Sequence, residues 1–265
     1  MSEIVVSGLT IYPVKSCQGI KLKSVLSESF GLENDRRWMV VDELGVMLTQ
    51  RKISEMCLIQ VRLTDSGISL KTNTMDAISI AKPGHTTKRT VKVWNDECQA
   101  LDAGDEAANW LSHALSKACR LVYFPDGEFR QVDLDYASKG DKTAFSDGFP
   151  LLLISQESLD DLNSRLNKPV TMERFRPNII VSGCDAFAED AWKRIRIGNS
   201  FFRVAKPCSR CIIPNINIET AIREQEPIKT LSSYRKRDNK IFFGQNVIAD
   251  NVDEISLGMP VEIVE

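Results

Sequence analysis

The sequence predicts a mainly β protein with a few helices, of the α+β class. Short β-rich segments recur along both halves of the chain, and three turn signals of the hairpin type lie in the first half. Only two segments show the apolar spacing of an amphipathic helix. Many short strands at this spacing are typical of a β-barrel or a β-sandwich. At 265 residues the chain is long enough for one large domain or two modest ones.

The strands of the first half are bounded by turn sequences. The N-terminal segment Ile4–Tyr12 is rich in β-forming residues and runs into Pro13. Three pairs of β-rich runs follow, and each pair flanks a short polar turn of the kind found in β-hairpins. The predicted hairpins join Arg37–Asp42 to Val46–Gln50, Leu58–Thr64 to Ile68–Lys71, and Thr90–Trp94 to Cys98–Leu101.

Two helices are predicted from apolar residues spaced three and four positions apart. The first spans Glu106–Ala118, with Asp105 as its N-cap. The second spans Leu159–Leu166 and follows Ser158, with Asp161 as the acidic member of a weak capping box.

A long polar segment, Phe124–Phe149, joins the two halves of the chain. Long loops in compact proteins are often functional, so this segment is a candidate for part of a site. The half that follows is again rich in β-forming residues. Its predicted strands are Leu151–Ile154, Asn178–Val181, Arg194–Ile197, Phe201–Ala205 and Val261–Val264.

Composition and charge restrict the classes of function. Hydrophobic residues make up 43% and charged residues 26% of the chain, as in ordinary globular proteins. The net charge of −2 gives no reason to expect a nucleic-acid partner. No apolar run approaches the ~20 residues that cross a bilayer, and the N-terminus lacks a signal-peptide pattern. We therefore expect a cytoplasmic protein and a monomer, with no nucleic acid and no membrane as partner.

Two of the seven cysteines lie in the segment Cys208-Ser209-Arg210-Cys211. Such a pair can be half of a zinc site, but no second pair exists, and His85 and His113 are far apart. It can be a thioredoxin-like dithiol, but Pro214 disfavours the helix that should follow. It can also supply a soft thiolate to a redox metal, with Arg210 favouring the anionic thiol. Two core cysteines without a role are the default interpretation of an isolated pair.

Basic residues near predicted strand ends could bind an anion. Lys15-Ser16 follows the first strand, although such a pair alone is usually a solvated turn. Arg176 opens a later strand and suits bidentate contact with phosphate or carboxylate, while Asn178 could recognise a polar heterocycle. The sequence lacks a P-loop, a GxGxxG fingerprint, a Ser-His-Asp pattern and a ferredoxin-type cysteine cluster.

Six motifs in a fixed order carry a family resemblance. They are Tyr12-Pro13-Val14-Lys15-Ser16, Asp35-Arg36-Arg37-Trp38, Phe175-Arg176-Pro177-Asn178, Ser182-Gly183-Cys184-Asp185, Cys208-Ser209-Arg210-Cys211 and Phe243-Gly244-Gln245. The series resembles the MOSC-domain proteins with an N-terminal MOSC β-barrel domain, such as the bacterial YcbX type and the mitochondrial amidoxime reducing component. The resemblance covers essentially the whole chain. It implies an N-terminal MOSC β-barrel domain at residues 1–124 and a MOSC β-barrel domain at residues 125–265.

The resemblance also implies a molybdenum cofactor (Mo-molybdopterin), whose metal takes one cysteine thiolate beside the pterin dithiolene. By position, Cys211 matches this metal ligand and catalytic residue, and Cys208 does not. Asp185 is a candidate proton donor through its motif. The mitochondrial relative has threonine in place of Gly148, and Asn246 replaces a tyrosine, so side-chain contacts at these two positions differ here. The residues at positions that bind the cofactor are Lys15, Ser16, Arg36, Asp147, Gly148, Arg176, Asn178, Ser209, Arg210 and Asn246.

The implied reaction is reduction of small N-hydroxylated compounds, such as N-hydroxylated base analogues and amidoximes, by oxygen removal at molybdenum. Detoxification and pyridoxal phosphate binding are further attributes that the resemblance implies. YcbX-type relatives carry a C-terminal ferredoxin-like domain, whereas this chain ends at Glu265. A separate electron donor is therefore expected, either a flavin reductase or a ferredoxin- or cytochrome-like carrier. The alternative is a molybdenum cofactor carrier or sulfur-transfer module without turnover, in which Cys211 receives sulfur or passes on the cofactor.

Overall fold

A computed structural model describes residues 3–84 and 87–265, and within these ranges the protein is mainly β, as predicted. His85 lies outside the described residues. The strands are β1 (Val5–Ile11), β2 (Ile20–Leu22), β3 (Ser24–Glu28), β4 (Gly31–Leu32), β5 (Trp38–Val41), β6 (Gln60–Thr64), β7 (Gly67–Lys71), β8 (Ile78–Ala81), β9 (Lys88–Val93), β10 (Asp96–Asp102), β11 (Arg120–Tyr123), β12 (Leu151–Ser155), β13 (Ile179–Ser182), β14 (Arg194–Ile197), β15 (Ser200–Ser209), β16 (Lys236–Arg237), β17 (Lys240–Ala249), β18 (Asp253–Ser256) and β19 (Val261–Ile263).

Three α-helices and four 3₁₀ turns accompany these strands in the described part of the chain. None of the helices there is long and apolar enough to cross a membrane. The helices are α1 (Asp105–Ala114), α2 (Gln156–Ser164) and α3 (Ile228–Tyr234), and the 3₁₀ turns are Ser54–Leu58, Met172–Arg174, Ala188–Asp190 and Ile213–Asn215.

The three predicted hairpins form, but the first has only one full strand. Strands β6 and β7 pair antiparallel, and so do β9 and β10. In the first hairpin, β5 is joined to the returning chain by a bridge between Val41 and Met47 and by the Leu48 amide, which donates to the Val40 carbonyl at 2.8 Å. The chain then leaves the sheet, and the Gln50 side chain donates to the Ser16 carbonyl at 2.6 Å instead. The returning arm therefore contributes residues to the cleft described below.

Both predicted helices have different ends in the structure. Helix α1 stops at Ala114 rather than Ala118, and its N-cap is Gly104, so Asp105 is the first helical residue. Helix α2 starts at Gln156, three residues earlier than predicted. Its cap is Ser155, whose side chain accepts a hydrogen bond from the Ser158 amide at 3.1 Å. The prediction that Ser158 caps this helix is wrong, because Ser158 lies inside α2. Its hydroxyl donates to the buried carboxylate of Glu189 at 2.8 Å.

The largest sheet combines strands from both ends of the chain. Its order is β19-β14-β15-β17-β12-β13-β1-β2, and β16 pairs with β17 at one side. Strand β1 pairs antiparallel with β13, and β3 pairs antiparallel with β18. Residues 5–32 thus share sheets with the second half of the chain, whereas the remainder of the first half forms two smaller sheets, β5-β11-β10-β9 and β6-β7-β8. The domain division at residue 124 stays a prediction.

Strand β15 is longer than predicted, because it continues past Ala205 to Ser209. Its partner is β17, and the register shifts twice, between Val204 and Lys206 and between Pro207 and Ser209. Consequently the segment Cys208–Cys211, predicted as a strand-end loop, begins inside the strand.

The segment 124–149 has neither helix nor strand, as predicted, but its end is anchored. The Phe145 amide donates to the Arg36 carbonyl at 3.1 Å, and the Phe145 and Phe124 rings pack edge to face at 5.2 Å. Both rings are fully buried. The anchored residues bring Ser146 to Phe149 against the turn that follows β1.

Candidate functional site

Eleven of the twelve residues predicted for the site line a single cleft with about 850 Å³ of empty space, open to solvent. The eleven residues are Lys15, Ser16, Arg36, Asp147, Gly148, Arg176, Asn178, Ser209, Arg210, Cys211 and Asn246. The other lining residues are Thr49, Arg51, Trp94, Ser146, Phe149, Leu151, Leu152, Phe175, Cys208 and Ile213.

The twelfth residue, Asp185, does not line this cleft. Asn178 directly precedes β13, whereas Asp185 follows its other end and is exposed. The four residues of β13, at ~3.3 Å each, place its two ends about 13 Å apart. Beside Asp185, the Cys184 thiol donates to the Glu157 carboxylate at 3.7 Å. The motif therefore suggested Asp185 as a proton donor, but the structure does not place Asp185 in the cleft.

Three of the predicted cleft residues have a left-handed backbone. Their φ angles are 71° for Ser16, 48° for Arg36 and 59° for Arg176. Such conformations cost on the order of 1–3 kcal/mol in residues other than glycine and are concentrated at functional sites. Tertiary contacts maintain them: the Arg36 amide donates to the Tyr12 carbonyl at 2.9 Å, and the Gln50 amide donates to the Ser16 hydroxyl at 3.3 Å.

The side chain of Asn178 is a structural connector. It is fully buried, its Nδ2 donates to the Thr10 carbonyl at 3.1 Å, and its Oδ1 accepts from the Leu152 amide at 3.2 Å. The same Oδ1 accepts from Arg36 Nη1 at 2.8 Å, and Asp35 accepts from that nitrogen at 2.5 Å. Only one amide hydrogen is left without an acceptor. Asn178 therefore positions Arg36, and its recognition of a heterocycle stays a prediction.

Arg176 is poised for an anion. Its Nη1 donates to the Cys17 carbonyl at 2.7 Å, and its guanidinium lies 4.1 Å from the centre of the Tyr12 ring. Its Nη2 is buried without a hydrogen-bond partner among the described residues. Burial lowers the pKa of Arg176, and the nearby charge of Arg36 lowers it further. A bound anion would satisfy the free nitrogen and reduce the repulsion between the two guanidinium groups.

Lys15 and Asp147 form an ion pair in the cleft. Lys15 Nζ donates to Asp147 Oδ1 at 2.5 Å and to the Phe145 carbonyl at 2.7 Å, which leaves its third hydrogen available to a ligand. Burial lowers the pKa of Lys15, and Asp147 partly offsets this effect. Desolvation would raise the pKa of Asp147, but the charges of Lys15 and Arg51 hold it well below its usual range. Asp147 is therefore a carboxylate at neutral pH.

The two thiols of the cleft have different surroundings. Arg210 Nη1 donates to Cys208 Sγ at 3.3 Å, and its Nη2 donates to the Phe175 carbonyl at 2.7 Å. The thiol of Cys211 is half-buried and has no hydrogen-bond partner among the described residues. Of the two thiols, Arg210 thus contacts that of Cys208. Within residues 3–84 and 87–265, no group of three or more His, Cys, Asp or Glu side chains is placed to hold a metal ion.

The two positions that depart from the family pattern are open. A Cβ added at Gly148 would have no atom within 4 Å. The Asn246 amide makes one long hydrogen bond, 3.4 Å to the Lys206 carbonyl.

Two family models together match most of the chain. The model of the MOSC N-terminal beta barrel domain matches residues 3–118, and that of the MOSC domain matches residues 140–262. The chain belongs to the MOSC-domain family. The MOSC protein is also 35% identical to "Mitochondrial amidoxime-reducing component 1" of Mus musculus over 279 residues, which covers 98% of this chain and 82% of that protein. Identity to the Homo sapiens protein of the same name is 35% over 280 residues, with the same coverage.

A second kind of relative shares the MOSC region. The chain is 34% identical over 266 residues to "Molybdenum cofactor sulfurase" of Oryza sativa subsp. japonica, covering 92% of this chain but 32% of that protein. The family resemblance predicted from the ordered motifs is confirmed by these matches.

The cleft of this MOSC protein suits an anionic cofactor that accepts a thiolate. Its lining contains five cationic side chains and a single carboxylate, that of Asp147. Besides Arg176, the Nε atoms of Arg51 and Arg210 are buried without partners in the described structure. The free thiol of Cys211 provides a soft ligand on the same lining. The residues present therefore fit a molybdenum cofactor with a phosphate-bearing pterin. The cations are Lys15, Arg36, Arg51, Arg176 and Arg210.

Proposed function

We propose that the protein is a molybdenum-cofactor-dependent reductase of small N-hydroxylated compounds, such as N-hydroxylated base analogues and amidoximes. The observation that carries the proposal is the convergence of five cations and one unpartnered thiol, Cys211, on one cleft. The names of the mouse and human relatives, which describe amidoxime reduction, support the substrate class.

Each side chain has a distinct task. Cys211 provides the single protein ligand to the metal. Arg36, Arg176 and the third N–H of Lys15 bind the anionic part of the pterin, since charge-assisted hydrogen bonds are worth about 1.5–3 kcal/mol each. Asp147 holds the Lys15 ammonium in place from within the cleft. When bound, the cofactor supplies the two-electron removal of oxygen from the N–O bond, while the protein supplies binding and orientation.

The reaction needs two electrons for each turnover. We assign them to a separate donor protein, either a flavin reductase or a ferredoxin- or cytochrome-like carrier. The same proposal places the protein in the cytoplasm, where reduced thiols are maintained and Cys211 stays available as a ligand.

A carrier or sulfur-transfer role is the second candidate, and the name of the rice relative favours it. A carrier would bind the cofactor without reducing N-hydroxylated substrates, and a sulfur-transfer module would carry a persulfide on Cys211. Purified wild type supplied with a chemical reductant and benzamidoxime separates the candidates, because only a reductase turns over. Mass spectrometry of Cys211 tests for the persulfide.

The ligand assignment is tested with a matched pair of variants, Cys211→Ala and Cys208→Ala. Both thiols line the cleft, so both variants remove one sulfur from the same place. Cys211→Ala is expected to lose most of the molybdenum and all turnover, whereas Cys208→Ala keeps the metal because Arg210 retains its bond to Phe175. Metal analysis, pterin fluorescence and a thermal melt are measured together. Retention of metal and turnover in Cys211→Ala, with their loss in Cys208→Ala, would show that the assignment is wrong.

A further inference from the structure

Trp94 was absent from the predicted site, yet it lines the cleft. It lies in the turn between β9 and β10, and 38% of its surface is exposed. Of the exposed large hydrophobic side chains in the described residues, it alone contributes to the cleft lining. An exposed indole beside the five cations of the cleft calls for a functional explanation.

The indole is held from two sides. Trp94 Nε1 donates to Asp147 Oδ1 at 3.1 Å, so one edge of the ring is tied to the carboxylate that binds Lys15. The guanidinium of Arg51 lies 4.2 Å from the ring centre, and its Nη2 lies 3.7 Å from Asp147 Oδ2. One face of the ring is thus covered by Arg51 through a cation–π contact. The residue keeps 38% of its surface exposed and lines the cleft.

The backbone of Trp94 is strained. Its φ is 56°, a conformation that hairpin turns usually give to Gly, Asn or Asp. For a bulky residue this is an outlier that persists only where the surroundings compensate. The contacts with Asp147 and Arg51 provide that compensation, and they fix the orientation of the ring towards the cleft.

We propose that Trp94 determines substrate specificity by stacking on planar, conjugated N-hydroxylated compounds, such as an N-hydroxylated purine. The inference rests on the proposed function, because the substrate must reach the metal held by Cys211 in the same cleft. An aromatic side chain stacks on any base through its π face, and its removal weakens binding by roughly 5- to 150-fold. At a partly exposed position such as this, the expected loss is about tenfold. Aliphatic N-hydroxylated compounds offer no aromatic face.

The test compares 6-hydroxylaminopurine, which is planar, with acetamidoxime, which is aliphatic. Dissociation constants are measured by calorimetry on the molybdenum-loaded protein without reductant, so binding is independent of turnover. The variants are Trp94→Ala, Trp94→Phe and the control Phe129→Ala, whose ring is 49% exposed but lies outside the cleft lining. Molybdenum and pterin contents are measured for every variant, and kcat and KM are then measured with reductant.

Trp94→Ala is expected to weaken 6-hydroxylaminopurine binding and raise its KM about tenfold, with acetamidoxime and cofactor content changed less than twofold. Trp94→Phe keeps most of the purine affinity, and Phe129→Ala equals wild type. Equal losses for both ligands, or no purine binding by wild type, overturn the proposal. Loss of pterin from Trp94→Ala also overturns it, because the ring then supports the cofactor instead. If loaded wild type binds the purine through Trp94 but reduces neither compound, the stacking site stands and the proposed function fails.

Discussion

Replacing Asn178 with leucine removes a connector between three parts of the cleft and is expected to destabilise the protein strongly. The buried amide joins the Thr10 carbonyl of β1, the Leu152 amide of β12 and the guanidinium of Arg36. Leucine fills a similar volume but makes none of these bonds. The Thr10 and Leu152 groups then lose a hydrogen bond in the interior, and Arg36 keeps Asp35 but loses one of its supports.

The magnitude follows from the three bonds. Each of the two neutral hydrogen bonds contributes about 1 kcal/mol, and the bond to the guanidinium contributes about 2 kcal/mol. Asn178→Leu should therefore lower the free energy of unfolding by about 4 kcal/mol. For a protein of this size, this corresponds to a fall in Tm of roughly 8–16 °C. The loss is smaller than the ~5–15 kcal/mol stability of a typical domain, so the variant can still fold.

Urea unfolding monitored by circular dichroism, on protein free of cofactor, measures the loss directly. Asn246→Leu is the matched control, because Asn246 also lines the cleft but makes only one long bond, 3.4 Å to Lys206. Asn246→Leu should lower the free energy of unfolding by less than about 1 kcal/mol. If Asn178→Leu is as stable as this control and only its cofactor content falls, then Asn178 is a ligand contact and its assignment as a connector is refuted.

Glycine and acid-titration variants test other features. Gly148→Ala should change the free energy of unfolding by less than about 0.5 kcal/mol, because the added Cβ has open space. Gly244→Ala should lower the free energy of unfolding by about 2 kcal/mol, since Gly244 has a φ of 80° and its Cβ would lie 2.9 Å from the Leu153 carbonyl oxygen. Equal thermal melts for the two would contradict this. Burial would raise the pKa of Asp102, but its hydrogen bonds to Arg120, Gly104 and Arg89 lower it to about 2. A lowered folded-state pKa stabilises the protein above the unfolded value, and this stabilisation is lost as pH falls from about 4 to 2. Asp102→Asn should lower the free energy of unfolding by roughly 2 kcal/mol at pH 7. It should also flatten the dependence of that free energy on pH between about 4 and 2, and an unchanged dependence would count against the lowered pKa of Asp102.

Local sequence patterns predicted the hairpins well but missed β17. The hairpins β6–β7 and β9–β10 have uninterrupted β-forming arms and polar turns, so short-range pattern and structure agree. Strand β17 is central to the largest sheet, yet Gly244, with φ of 80°, and the polar Gln245 and Asn246 interrupt its apolar pattern. Pairing with β12 and β15 holds β17 in the sheet, and the sequence of β17 by itself does not indicate these partners.

For the site as well, the sequence predicted some of the residues and missed others. The family resemblance identified eleven cleft residues, eight of them within the ordered motifs. It also included Asp185, because its motif reveals sequence proximity to β13 and not which end of the strand meets the cleft. Trp94 and Arg51 were missed because neither belongs to a motif. The only local signal for Trp94 was that a tryptophan lies in a hairpin turn, where Gly, Asn or Asp is usual.

By itself, the sequence determined the mainly β class, the hairpins and the chemical groups of the site, because periodicity, turn residues and motif chemistry are local properties. The tertiary structure alone decided which groups meet. Lys15 pairs with Asp147 across 132 positions, and Arg36 bonds to Asn178 across 142. These contacts depend on the pairing of β1 with β13 and on the anchoring of the segment 124–149. Register and loop closure are properties of the whole fold, so no window of sequence contains them.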